Sequence, residues 1–230
     1  MTSDTLQFHV DQEVLARGLT GACLTMGPLQ NTTPSPQFER FWNEILQEIQ
    51  KDLNLEKIAT DPTLQGFRRL HEAFGVSNRR NIAAPENLLR LLLKTGALPR
   101  INPAVDLYNL VSVKTHLSLG AHDISRFVGD IHLRLTDGTE EFWPLGAPEA
   151  KGIAPGEYAY IDTGSNEVIC RLEVRQGEKT RVTPDTTECF YIIQGNAFTP
   201  ISTIKAATEL LIEWTHHFLG GQERLLYAPW

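Results

Sequence analysis

The residues best suited to chemistry lie between Asn102 and Leu135, in NPAVDLYNLVSVKTHLSLGAHDISRFVGDIHLRL. Asp106, Asn109, Ser112 and His116 follow one another at three- to four-residue spacing. On a helix that spacing brings a carboxylate, a carboxamide, a hydroxyl and an imidazole onto one stripe. Such a stripe either faces water or lines a pocket. A carboxamide donates and accepts, so Asn109 is equipped to hold an amino group, a carbonyl or a water. Further on, Gly120-Ala121-His122-Asp123 reads as a compact loop between two rigid elements, a place where functional side chains concentrate. The rest of the chain offers no Gly-rich phosphate loop, no GxSxG and no HExxH. Cys23, Cys170 and Cys189 have neither metal nor redox spacing, and their default role is that of small buried hydrophobes. The adjacent His216 and His217 point to different helix faces and suit a helix C-terminus better than a metal. The expectation is a site without metal or cofactor.

The elements that position this stretch can be read from periodicity. Asn102 caps a helix with Pro103 in its first turn, and Leu107, Leu110 and Val111 form its apolar face. The helix is expected to end near Leu119-Gly120. A half-buried strand then runs from Asp130 to Leu135, with Ile131, Leu133 and Leu135 alternating against His132 and Arg134. Upstream, Leu6–Val10 and Ala22–Thr25 are candidate strands. An amphipathic helix covers 37–53 through Phe38, Phe41, Trp42, Ile45, Leu46 and Ile49. Shorter helices cover 63–74 and 85–95, the latter closed by Gly96 and Pro99. Downstream, strands are expected at 140–143, 158–162, 167–172 and 188–193, punctuated by Gly138, Gly146, Gly156 and Gly164. A last helix covers 201–218. Helices and strands segregate, which gives an α+β fold. Residues 1–60 read as an N-terminal extension packed on a core of residues 61–230, the two making one compact unit overall.

The order of motifs in this stretch resembles the B3/B4 editing domain of the phenylalanyl-tRNA synthetase beta subunit. That family carries a helix with a "DVTNYV" core, then "LGQPMHAFD", then a glycine and an "IVVR"-type strand. VDLYNLV, LSLGAHD and Gly129–Arg134 follow here in the same order. Its "GGxxGGExSxVxxxT" pattern is echoed from Arg171 to Thr183, closed by Thr186. The resemblance covers roughly residues 100–195 and implies a B3/B4-type domain, a mixed or antiparallel sheet with helices packed on it. It implies an activity as well, hydrolysis of the ester between a wrong amino acid and the terminal adenosine of a tRNA. That ester is already activated. A site for it must place a water, exclude the correct amino acid and stabilise the developing oxyanion, and a neighbouring ribose hydroxyl can assist.

Carried over by position, the family's Thr-Asn pair falls on Tyr108 and Asn109. Its "HAFD" falls on GAHD: the aspartate is kept as Asp123, the pocket histidine becomes Gly120, and an imidazole reappears as His122. The paired glycines that shape the family's aromatic pocket fall on Leu172 and Glu173, and a pocket glutamate falls on Ile192. Glu188 shares a strand face with Phe190 and Ile192. The resemblance thus implies Asn109, His122 and Asp123 as catalytic residues, with Tyr108, Gly120, Glu173 and Glu188 binding substrate. A carboxylate in place of glycine implies an arginine-like or polar amino acid rather than tyrosine. Bland roles remain open for each: a solvated Asn109, an Asx turn at Asp123, an exposed His122, and Glu173 paired with Arg171 or Arg175.

The 230-residue chain is 41% hydrophobic and 21% charged, with a net charge of −7. That charge argues against broad nucleic-acid binding, but a local patch acts within a Debye length of about 10 Å. Between Thr63 and Arg100 the balance reverses: Arg68, Arg69, Arg79, Arg80, Arg90, Lys94 and Arg100 face only Glu72 and Glu86. Arg68, Arg69, Arg79 and Arg80 are the expected contacts to tRNA phosphates. No apolar run approaches the roughly 20 residues that span a bilayer, and MTSDTLQFHV lacks the basic start and apolar core of a signal peptide. Three sparse cysteines fit a reducing cytoplasm. The expected protein is a monomeric, trans-acting aminoacyl-tRNA deacylase. Two other classes stay open, a noncatalytic tRNA- or RNA-binding module and a small-molecule amino-acid sensor.

Overall fold

A computed structural model describes residues 1–230. The N-terminal segment forms β1 (Phe8–Val10), α1 (Gln12–Ala16) and β2 (Leu19–Gly27). Five helices follow: α2 (Pro36–Asp52), α3 (Leu55–Thr60), α4 (Pro62–Ala73), α5 (Ala84–Thr95) and α6 (Pro103–Thr115). The remaining strands are β3 (Ser118–Asp123), β4 (Ile131–Leu135), β5 (Glu141–Phe142), β6 (Lys151–Gly152), β7 (Tyr158–Asp162), β8 (Glu167–Arg171), β9 (Arg175–Gln176) and β10 (Cys189–Asn196). The chain closes with α7 (Ile201–Leu219) and β11 (Gln222–Tyr227).

The strands form two sheets. One is a mixed seven-stranded sheet in the order β1-β4-β7-β8-β5-β6, with β9 paired to β8. The other is a four-stranded antiparallel sheet in the order β11-β2-β10-β3. This is the α+β arrangement of helices and segregated strands that the sequence implies. Residues 1–60 are not laid against a finished core, however. β1 pairs in parallel with β4, and β2 lies between β11 and β10, so the N-terminal segment is woven into both sheets.

The four-stranded sheet is buried on both faces, and the period-2 rule divides its side chains between two cores. Leu24, Met26, Leu119, Ala121, Tyr191 and Ile193 face α2, α6 and α7. Cys23, Phe190 and Ile192 face the larger sheet and α4, meeting Ile131, Leu133, Tyr158, Phe67 and Phe74. In the pairing of β3 with β10, Ser118 lies opposite Gln194, Gly120 opposite Ile192 and His122 opposite Phe190. These pairs point into the second core.

Helix α6 is the axis of the first core. Asn102 caps it by accepting from the Val105 amide at 3.2 Å, and its residues from Pro103 to Val113 are all buried. The polar stripe is therefore internal from Asp106 through Ser112, and only His116 is part-exposed. Asp106 accepts from Arg100 Nε at 2.8 Å and from the Ile101 amide at 2.9 Å. Ser112 donates to the Leu117 carbonyl at 2.7 Å. The helix stops earlier than its periodicity implies: His116 takes a left-handed conformation, φ 60°, and its Nδ1 meets Asp61 at 2.8 Å. The expected loop Gly120–Asp123 is instead the last four of the six residues of β3.

Candidate functional site

A cavity of about 280 Å³ opens where the second core meets the α5–α6 side of the molecule. Tyr108 and Asn109 of α6 form one wall, and Ser118 and Gly120 of β3 the next. Ile192 and Gln194 of β10 lie behind them, the turn between β8 and β9 brings in Glu173, and β9 adds Gln176. Ala84, Asn87 and Leu88 of α5, with Leu145 and Arg175, line it toward its mouth.

Each wall residue has a local reason for its place. Gly120 leaves the space: a Cβ there would sit 2.8 Å from Gln176 Nε2. The β8–β9 connection is a three-residue turn closed by the Arg171–Arg175 pair, a common hairpin length. Its first residue, Leu172, is fully buried and held at φ 53°, a left-handed backbone that costs a β-carbon residue about 1–2 kcal/mol. That turn carries Glu173 back under the sheet.

Glu173 is 4% exposed and is the centre of a hydrogen-bond network. One carboxylate oxygen accepts from His71 Nε2 of α4, the other from the Tyr158 hydroxyl of β7. Gln194 Nε2 donates to the Tyr158 oxygen at 3.0 Å, and the Tyr160 hydroxyl donates to Gln194 Oε1 at 3.0 Å. His71 Nδ1 lies 2.9 Å from Asn78 Oδ1. The Asn78 amide is oriented by donating to the Arg68 carbonyl and to Glu72, so its oxygen is turned to the ring. Both ring nitrogens thus face acceptors, the pattern of an imidazolium. Burial works against that charge, but the hydrogen bond and charge of Glu173 outweigh it and raise the His71 pKa. Burial, reinforced by Glu173, holds the Tyr158 phenol protonated. The carboxylate expected to await a cationic ligand, or to pair with Arg171 or Arg175, already has an internal cation. Arg171 is bound to Glu157 instead.

Asn109 presents the opposite case. It is 8% exposed and lines the cavity, and its carboxamide makes no hydrogen bond to the rest of the chain. Beside it, burial raises the Tyr108 phenol pKa, partly opposed by Gln176, so the hydroxyl keeps its proton. Burial pushes the Cys170 thiol of the same wall up to about 12. Tyr108 and Cys170 therefore hold their protons across the neutral range, and apart from Glu173 and Arg175 the polarity of the lining is that of amides and hydroxyls.

Three residues expected in the pocket lie outside it. His122 is fully buried between Phe127 and Phe190, with Nδ1 2.8 Å from the Thr180 hydroxyl and Nε2 without a partner. Burial lowers its pKa to about 3, which keeps it neutral. Asp123 alternates to the other face of β3 and is spent on structure. It caps the short 3-10 turn Ile124–Arg126 by accepting from Ser125 N at 2.9 Å, and it accepts from Thr186 Oγ1 at 2.7 Å. Glu188 precedes β10 and holds the N-terminus through the Ser3 amide at 3.0 Å and hydroxyl at 3.2 Å. Tyr108, Asn109, Gly120 and Glu173 do converge.

The expected phosphate-binding arginines also divide. Arg68 and Arg90 both reach the buried Glu86 carboxylate, each at 2.8 Å. The Arg69 guanidinium lies 4.5 Å over the Phe198 ring, and Arg100 is shared between Glu39 and Asp106. Arg79 and Arg80 are exposed on the connection between α4 and α5 and have no carboxylate partner. His71, Tyr158, Gln176 and Gln194 were not singled out by sequence. Two signals were present: a glutamine in the apolar run of β10, and a histidine on the buried face of α4 beside Phe67 and Leu70.

Comparison with known proteins bears on this geometry. The family model described as the B3/4 domain matches residues 69–217, more than half of the chain. The phenylalanine–tRNA ligase beta subunit of Mycoplasma genitalium is 30% identical over 124 residues, which are 54% of this chain and 15% of that protein. A solved N-terminal fragment of the phenylalanyl-tRNA synthetase beta subunit from Pyrococcus horikoshii superposes with a TM-score of 0.51 at 15% identity. That superposition covers 97% of this chain and 52% of the fragment, and at such identity it speaks for the fold alone. The chain thus spans a small part of the ligase subunit and about half of the solved fragment. On the strength of the family match, this chain belongs to the B3/4 domain family.

Proposed function

We propose that the chain is a trans-acting deacylase that hydrolyses the ester of a mischarged tRNA in the Asn109 cavity. The observation that carries the reading is the free carboxamide of Asn109, at the wall of an open-mouthed, amide-lined cavity in a chain of this family. A cavity near the small end of the ligand range, about 300 Å³, suits an aminoacyl group. The carboxamide has no partner in its own protein and opens onto the cavity, where a ligand or water can take its hydrogen bonds.

Asn109 holds the α-amino group or the ester carbonyl, and the Tyr108 hydroxyl, with its proton retained, is a second donor. Gly120 and Gln176 set the width of the cavity. No side chain with a free, titrating base faces it, so hydrolysis depends on placing a water and on the vicinal ribose hydroxyl. The His71 cation changes the expected selectivity. With Glu173 compensated from behind, the cavity gives an arginine-like side chain no unpaired carboxylate. Leu88, Leu119 and Ile192 favour a small neutral side chain instead. A deacylation panel of mischarged tRNAs tests this: release of small neutral amino acids faster than arginine supports the reading, and no release from any member contradicts it.

A further inference from the structure

The turn that carries Glu173 into the cavity also places Arg175 at its mouth. In the pairing of β8 with β9, Arg175 lies directly opposite Arg171. Like charges in that position, with Cβ atoms about 5 Å apart, repel. Arg171 is neutralised by the Glu157 carboxylate, with Nη2 at 2.7 Å. Arg175 has no carboxylate partner, although it sits on a half-exposed hairpin where one would be accessible. It lines the Asn109 cavity and also a neighbouring groove of about 490 Å³, and the two spaces share Leu145 and Arg175 as their boundary. Lys151 of β6 lines the same groove and is likewise unpaired, the mutually paired Glu157 and Arg171 line it too, and Phe142, Pro144 and Ile153 give it an apolar floor.

Two uncompensated cations, an apolar floor and continuity with a cavity sized for an aminoacyl group describe a seat for a nucleotide. We propose that this groove binds the 3′-terminal nucleotides of the RNA whose aminoacyl end enters the Asn109 cavity, with Arg175 and Lys151 on phosphate oxygens. The guanidinium fork matches a phosphate in two parallel hydrogen bonds, and the lysine acts as a point charge. The apolar floor receives ribose and base. Arg175 at the boundary then fixes the distance between the last phosphate and the ester. The assignment rests on the deacylase reading for the identity of the occupant, and it moves the RNA 3′ end away from the arginines between α4 and α5.

The test uses a 5′-fluorescein RNA oligonucleotide ending in CCA, with anisotropy followed across a salt series. Arg175→Glu and Lys151→Glu should each weaken binding tenfold or more. Each should also flatten the salt slope by about 0.7 per lost phosphate contact. The pair Arg79→Glu/Arg80→Glu should leave this short probe unaffected. Both groove residues are on the surface, so the variants should unfold at the wild-type temperature; Arg175→Gln provides a milder check and should raise KM for aminoacyl-tRNA with kcat retained. Unchanged affinity and slope in Arg175→Glu, no binding of the probe by the wild type, or displacement of the probe by equimolar inorganic phosphate would each overturn the assignment. Equal hydrolysis by wild type and Arg175→Glu would sink the groove and leave the deacylase reading standing. Groove-dependent probe binding without ester hydrolysis would do the reverse.

Discussion

At the scale of single residues, the contrast between Asn109 and Glu173 decides what the cavity can do. Both are buried polar side chains on its wall. One is left unengaged and the other is fully engaged by His71 and Tyr158. The two therefore respond differently to substitution. Glu173→Gln keeps the shape, removes the charge and should cost about 1.5–3 kcal/mol of stability below pH 6.5, the range for a hydrogen bond to a charged group. The pH dependence has a definite sign. The folded pKa of His71 is raised above its unfolded value of about 6.5, so its contribution is complete below that pH. It is lost as pH rises through the folded pKa. The groups that face His71 are Glu173, Glu72 and Asn78. Thermal unfolding should show wild type losing its advantage over Glu173→Gln as pH rises above about 6.5. A constant difference over that rise would show that His71 is not charged in the fold. The family resemblance brought Tyr108, Asn109, Gly120 and Glu173 together, because the family pattern lists neighbours in space as well as in order. It could not supply His71, Tyr158 or Gln194, which come from three remote elements. Spacing along a chain holds no record of such pairings.

At the scale of elements, the width of the cavity is set by the meeting of β3 with the β8–β9 turn. Gly120→Ala places a Cβ 2.8 Å from the end of the Gln176 side chain, which can move. The variant should fold, with a change of stability under about 1 kcal/mol, and should raise KM for the bulkier aminoacyl groups of a panel more than for alanyl-tRNA. An equal change across the panel would mean that Gly120 does not shape the aminoacyl seat. Helices with a strong apolar stripe or clear caps, α2, α4, α5 and α7, are legible within a residue or two. β3 is not: both its faces are buried, so it lacks the alternation of a half-exposed strand, and Gly120 reads as a helix stop. That error displaced His122 and Asp123. Read as a loop they are free to converge; on a strand they face opposite sides. β11 follows α7 after only Gly220 and Gly221, and QERLLY has no period-2 pattern to announce it.

At the scale of the whole molecule, charge is the organising feature. The chain carries −7 overall, and no helix is long and apolar enough to cross a membrane. Three of the seven cations of the 63–100 region, Arg68, Arg90 and Arg100, are absorbed by Glu86, Glu39 and Asp106; the last two carboxylates lie outside that stretch, so its own composition held no sign of them. Arg79 and Arg80 stay open, so reversal of both should weaken binding of full-length tRNA. It should also reduce the salt slope by about one per lost contact. Retention of both affinity and slope in a salt titration would mark the pair as solvated surface. The N-terminal strands are stitched into both sheets, β1 beside β4 and β2 between β11 and β10. The cavity lies between elements drawn from residues 84 to 194.

The central claim is that the free carboxamide of Asn109 acts on an aminoacyl ester. Its most direct test is single-turnover hydrolysis of the best mischarged tRNA by wild type and by Asn109→Ala, with thermal unfolding measured on the same samples. The carboxamide makes no bond to its own protein, so the variant should unfold within about 1 kcal/mol of wild type. Its hydrolysis should fall at least tenfold, as expected from about 1.5–3 kcal/mol for one positioned hydrogen bond to a polarised group. A folded Asn109→Ala protein that hydrolyses the ester at the wild-type rate would contradict the account.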